Sequence, residues 1–149
     1  MNRVNENRDR AGWMAVLARA TRSEIVAAVE KIDMPDIDIV KPAEVGTIML
    51  EGRAGGSGQR FNAGEATMTR CVVRVGETLG FSYALGRDKE KAVLCAALDG
   101  LLQNPAHRNE IFEHVIAPIA AAYSKRQEEA SRRAAATKVD FFTMVRGDG

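Results

Sequence analysis

The sequence is poor in the residues that usually announce a chemistry. Aromatics make up 5% of the 149 residues, and there are only two histidines, two cysteines and four prolines. The cysteines, Cys71 and Cys95, are 24 positions apart and form no CxxC pair. Each lies in an apolar run, so both read as reduced core thiols of a cytosolic protein rather than as a disulfide or a metal clip. His107 and His114 have no further ligand-type residues at zinc spacing, which leaves them as surface histidines and excludes a structural zinc site. Charge of one sign is missing too. The formal net charge is +1, so no bulk electrostatic field favours nucleic acid or an anionic membrane. No apolar run reaches the ~20 residues of a membrane span. The first residues, MNRVNENRDRAGW, lack the apolar centre of a secretory signal, and a soluble, cytoplasmic chain is expected.

The catalytic motifs are also missing. There is no GxSxG elbow, no cysteine beside an obvious histidine base, and no pair among Glu44, Glu51 and Glu65 placed to act as acid and base. The glycine-rich stretch GRAGGSGQRFNAGE has no lysine where a P-loop needs one and leads into a strand. A dinucleotide fingerprint fails for the same reason, because its glycines must open a helix. Two readings of the stretch remain: a hairpin connection whose glycines adopt positive φ, or an arginine-bearing surface. In the second reading Arg53, Arg60 and Arg70 line an anion site or a partner interface beside free backbone amides. Arg87, in LGRD at the start of a helix, is a further candidate of this kind, although Asp88 would cap the same amides.

What is present is regular periodicity. A chain of this size buries about 68–70% of its unfolded surface, so one domain over residues 1–149 is expected. Trp13, Val16, Leu17 and Ala20 form a helical stripe, and Thr21 and Glu24 have the spacing of a capping box before a second stripe, Ile25, Ala28, Val29 and Ile32. A β-branched run suits a strand from about Val45 to Arg53. Ala66 to Val75 alternates as a second strand, with Thr67, Thr69, Cys71, Val73 and Val75 on one face, and FSYALG gives a third. Asp88 then caps KEKAVLCAALDGLLQ, a helix with a broad apolar face. Asn104-Pro105 ends it. Another helix is expected from about Asn109, kinked or restarted at Pro118.

The tail VDFFTMVRG has strand composition. As a strand it would need cover on both faces, and Phe141, Phe142, Met144 and Arg146 are candidates to meet a neighbouring chain by strand addition. Together these elements predict an α+β fold with N-terminal helices, a mainly antiparallel sheet, two longer C-terminal helices and a terminal strand.

The segments RAGWMAVLARA, PAEVGTIMLEGRAGGSGQRFNAGEATMTRCVVRV, GFSYALGRDKEKAVLCAALDGLLQ and TKVDFFTMVRG, in this order, resemble the PhnG family. This is the G subunit of the carbon–phosphorus lyase core complex, and the resemblance covers nearly the whole chain. It implies a role in the use of phosphonates, with the H, I, J and K subunits as partners. Two copies of the chain in a symmetric assembly are compatible with that set. In such assemblies G, H and I, helped by an ATPase-like L subunit, are associated with displacing adenine from ATP by a phosphonate, giving a ribose 1-phosphonate 5-triphosphate. ATP and phosphonate are then substrates of the complex, and no cofactor is expected on this chain alone. No catalytic residue is carried over. The contrasting expectation is a stand-alone nucleotide- or phosphate-binding protein or enzyme that holds a triphosphate with the arginines of the glycine segment.

Overall fold

The first helix begins where Asp9 accepts the Gly12 amide at 2.8 Å. It runs over Arg10–Arg19 (α1) and buries Trp13 and Leu17. The Thr21/Glu24 capping box is fully formed and opens α2, Arg22–Glu30. In this computed structural model residues 8–53 and 58–147 are described, with side chains for 8–52 and 58–137. The chain divides into two units, Met1–Ile119 and Ala120–Gly149.

The first unit is built on a three-stranded antiparallel sheet of order β1-β2-β3, with β1 at Ile37–Arg53, β2 at Arg60–Val75 and β3 at Thr78–Leu85. Both long strands exceed the spans read from the sequence. Pro42 hid the first half of β1. A proline offers no ladder N–H, and here it lies on an edge strand beside a register shift between Lys41 and Glu44, where that loss is tolerated. Arg53 pairs with Arg60, so the glycine segment is a hairpin connection. β3 pairs only with Met68–Val75. The half of β2 before Met68 is therefore joined to β1 alone and forms a two-stranded ribbon.

One face of the sheet is covered by α3, Lys89–Gln103, whose first turn Asp88 caps through the Lys91 amide. Contact with β3 is close. A Cβ on Gly80 would lie 2.0 Å from the Ala96 carbonyl oxygen, so only glycine fits there. Thr69, Cys71, Val73 and Val75 are buried on this side, as their alternation predicts, together with Leu98 and Leu102 of α3. Each large apolar side chain fully buried here contributes about 1.5–3 kcal/mol.

α4 spans Pro105–Ile111 and starts four residues earlier than the sequence suggests. Asn104 caps the Ala106 amide and Pro105 fills the first helical position, where no N–H is needed. A π-helical turn, Phe112–Ile116, follows directly before Pro118. It widens the helix where the proline ring would otherwise meet the carbonyl one turn earlier. The last helix, α5, runs from Ala117 to Gly147.

That boundary corrects the reading of the tail. The backbone of VDFFTMVRG continues α5 and is not a strand. The alanine-rich run before it propagates helix at little cost once nucleated, and strand composition means little without a sheet edge to join. Strand addition by this tail is withdrawn with the strand. The side chains of Phe141, Phe142, Met144 and Arg146 lie outside the described residues.

Candidate functional site

The four arginines singled out from the sequence are not brought together. Arg60 is at the far end of the ribbon, 3.7 Å from Glu51 across the strand pair. The Arg53 side chain lies outside the described residues, though its backbone pairs with Arg60. Arg70 is at the centre of the sheet, opposite Glu44 on β1 and Tyr83 on β3. At about 3.3 Å per residue, the ten positions from Arg60 to Arg70 put them roughly 30 Å apart, too far to hold one triphosphate. Arg87 is exposed in the turn before α3. The amides beside it are claimed by Asp88, which also takes both its oxygens to Arg22 Nη1 at 3.0 Å. The Lys91 amide and then Arg22 hold the Asp88 carboxyl below its usual range, against an opposing effect of burial.

Arg70 belongs instead to an extended outer face of the sheet. The strand alternation that buries Cys71 and Val73 turns Met68, Arg70, Val72 and Arg74 the other way. Their partners across the ladder are Leu85, Tyr83, Phe81 and Leu79 on β3. On the β1 side the same face continues through Ile48 and Leu50 to Phe61. Much of it is apolar and open to solvent: Phe61 is 52% exposed, Tyr83 47%, Leu50 45% and Leu85 44%. A shallow cleft of about 200 Å³ between Lys41, Glu44, Arg70, Phe81 and Tyr83 interrupts it. Met49, on the reverse of the ribbon, and Val45, opposite Thr69 in the three-stranded part, are exposed as well. An antiparallel sheet normally turns one polar face to water. Large exposed apolar side chains gathered on one sheet face suit a contact site.

A third constellation was not singled out from the sequence. Asp99, in the apolar run LCAALDGLLQ, is completely buried. Its carboxylate accepts from Trp13 Nε1 at 2.9 Å, from Arg10 Nη2 at 2.9 Å and Nε at 3.3 Å, from the Phe81 amide at 2.9 Å and from Gln103 Nε2 at 3.1 Å. It thereby pins α1 to α3 and to the outer edge of β3. The hydrogen bonds from Arg10 to Asp99 raise the guanidinium pKa further, despite a partial opposing effect of burial. The signal available in the sequence was the lone acid among apolar helical positions, since a buried carboxylate must be paired.

None of this assembles a catalytic set among the described residues. Cys71 and Cys95 are free and buried. Burial pushes the Cys95 thiol up to about 12 and raises that of Cys71, so neither is a nucleophile near neutrality. His107 and His114 are exposed. No group of three or more metal-ligating side chains occurs among the described residues. No helix among them is long and apolar enough to cross a membrane.

Comparison with known proteins places this architecture. The family described as "Phosphonate metabolism protein PhnG" matches residues 8–147. A relative from Rhizobium meliloti (strain 1021), named "Alpha-D-ribose 1-methylphosphonate 5-triphosphate synthase subunit PhnG", is 43% identical over 138 residues. That alignment takes in 91% of this chain and 87% of the relative. The match runs through the Asp99-pinned helices, the paired strands and the helical tail alike, and the chain belongs to the PhnG family of phosphonate metabolism proteins.

Proposed function

We propose that the chain is a non-autonomous subunit of a cytoplasmic carbon–phosphorus lyase assembly, acting in the step that joins a phosphonate to C1 of ribose 5-triphosphate. The relative's name makes it one subunit of a synthase for that product. The chemistry balances with ATP as the donor. The bond from C1 to adenine breaks, a phosphonate oxygen takes its place, and adenine leaves with a proton. This chain contributes shape and docking surface, and the H, I, J and K subunits are its partners.

The observation that carries the reading is the outer sheet face. Phe61, Leu50, Tyr83 and Leu85 are exposed on the sheet face turned away from α3, whose opposite face is packed core at Thr69, Cys71, Val73 and Val75. Large exposed aromatic and aliphatic side chains in such a patch suit the centre of an interface. Arg70, in their midst, supplies a planar fork for a partner carboxylate. The hairpin arrangement also explains the arginine-bearing glycine segment as the far end of a docking ribbon.

Co-expression with the H, I and J subunits tests this. A tagged chain is expected to purify as one stoichiometric species with them, stable to moderate salt because apolar contacts dominate. A chain that emerges alone at every ionic strength would sink the proposal.

A further inference from the structure

Arg8, Arg10 and Arg108 come from opposite ends of the first unit and line one open cleft of about 370 Å³ with Asp9, Trp13 and Gln103. Each guanidinium is fixed twice. Arg8 lies 4.7 Å from the Phe112 ring centre and donates from Nη1 to Asn109 Oδ1 at 3.4 Å. Arg10 lies 5.4 Å from the Phe81 ring centre and gives Nε and Nη2 to Asp99. Arg108 lies 5.6 Å from the Trp13 ring centre and gives Nε and Nη2 to the Leu102 and Gln103 carbonyl oxygens at 2.8 and 3.1 Å.

These anchors leave donors over. Nη1 of Arg10, Nη1 of Arg108, and Nε and Nη2 of Arg8 have no acceptor among the described residues. Three positive groups meet two carboxylates. Asp99 is saturated by its five donors, and Asp9 caps α1 through the Gly12 amide. One positive charge is therefore unbalanced, on side chains already held in place against aromatic rings. Groups fixed in advance bind with little further loss of side-chain freedom.

We infer that this cleft binds a tetrahedral oxyanion, the –PO₃ group shared by phosphonates, inorganic phosphate and phosphate esters. A carboxylate presents two coplanar oxygens and is satisfied by a single guanidinium fork. Three guanidinium groups, two from the start of α1 and one from α4, suit the three-oxygen face of a phosphoryl or phosphonyl group. Oxyanion binding stands on the arginines alone. Assigning the anion to phosphonate chemistry rests on the function proposed above.

The chain carries its own reporter, because Trp13 is its single tryptophan and lies against Arg108. The full-length chain is titrated with inorganic phosphate and with methylphosphonate, using acetate at matched ionic strength as the carboxylate control. A saturable change in Trp13 emission is expected with both phosphorus anions and not with acetate. Arg8→Ala should weaken it about tenfold, the usual worth of a charge-assisted hydrogen bond. Arg8 makes only one long hydrogen bond, so this variant keeps the fold, and a thermal melt verifies that. Arg60→Ala, on the distant ribbon, should leave the titration unchanged. Equal affinities would assign the cleft to phosphate groups in general, and a preference for methylphosphonate to the substrate; either supports the site. No saturable response, a response indifferent to Arg8→Ala, or equal binding of acetate would overturn it, the last in favour of a partner's acidic side chain. Complex formation with the partner subunits is a separate measurement, so either conclusion can fall without the other.

Discussion

On the inner face of the sheet Thr69, Cys71, Val73 and Val75 are sealed under α3, and even a methyl group on Gly80 has no room. On the outer face, Tyr83 and Leu85 from the same strands stand in solvent, and the surface runs on along a ribbon that no third strand supports. Both faces use apolar residues at alternate positions. What separates them is whether this chain supplies the cover. A two-stranded ribbon has marginal stability by itself in water, so its exposed Phe61 and Leu50 gain most when another surface closes over them. The packed face should answer to stability measurements, and the open face to association measurements.

The sharpest way to break that contrast is at Asp99. Asp99→Ala leaves Trp13 Nε1 and the Phe81 amide without their shared acceptor while the half-exposed Arg10 can turn to water, and should cost about 2–4 kcal/mol in urea unfolding. A loss under ~1 kcal/mol would mean that water substitutes for the carboxylate and that this side is less closed than it looks. Next comes the double substitution Phe61→Ser with Tyr83→Ser. It should change the stability of the isolated chain by no more than about 0.5 kcal/mol, yet weaken partner binding by about 2 kcal/mol or more. Equal losses in both measurements would assign these residues to the chain's own core. The smallest effect is expected at high pH. The Cys95 thiol is held well above its ordinary value of 9.0, so the folded chain keeps this proton more tightly than the unfolded chain does. Its contribution is complete below about pH 9 and falls as pH rises toward about 12. Cys95→Ala should flatten that decline, and an unchanged slope would show that other groups cause it.

Much of the packed face was legible in the sequence because its signals are local. The Thr21/Glu24 box, the Asp88 cap and the alternation through Cys71 and Val73 each involve residues a few positions apart. The outer face was half legible. Alternation along β2 sets Met68, Arg70, Val72 and Arg74 apart from the buried side, but their exposure depends on which face α3 covers. The cleft was not legible, since Arg10 and Asp99 are 89 positions apart and Arg108 arrives on a different helix. The tail failed for another reason. Phe141, Phe142 and Val145 are strand formers by composition, and the helix already running through Ala134 to Ala136 overrode that preference. Arg53, Arg60 and Arg70 are near in sequence, and a long strand separates Arg70 from the other two.

The way Asp99 and Gln103 close the border of β3 limits how this protein can associate. The Phe81 amide is taken by Asp99 and the Leu79 carbonyl by Gln103 at 2.8 Å, so that part of the rim is closed to an incoming backbone. β1 is the opposite rim, with no strand beyond it among the described residues, and β2 before Met68 is uncovered on its second side. A strand added beyond β3 would have to displace Asp99 or Gln103 first, which directs backbone pairing to β1 and to the ribbon. One acidic side chain and one amide thus narrow the routes by which copies of this chain could pair edge to edge.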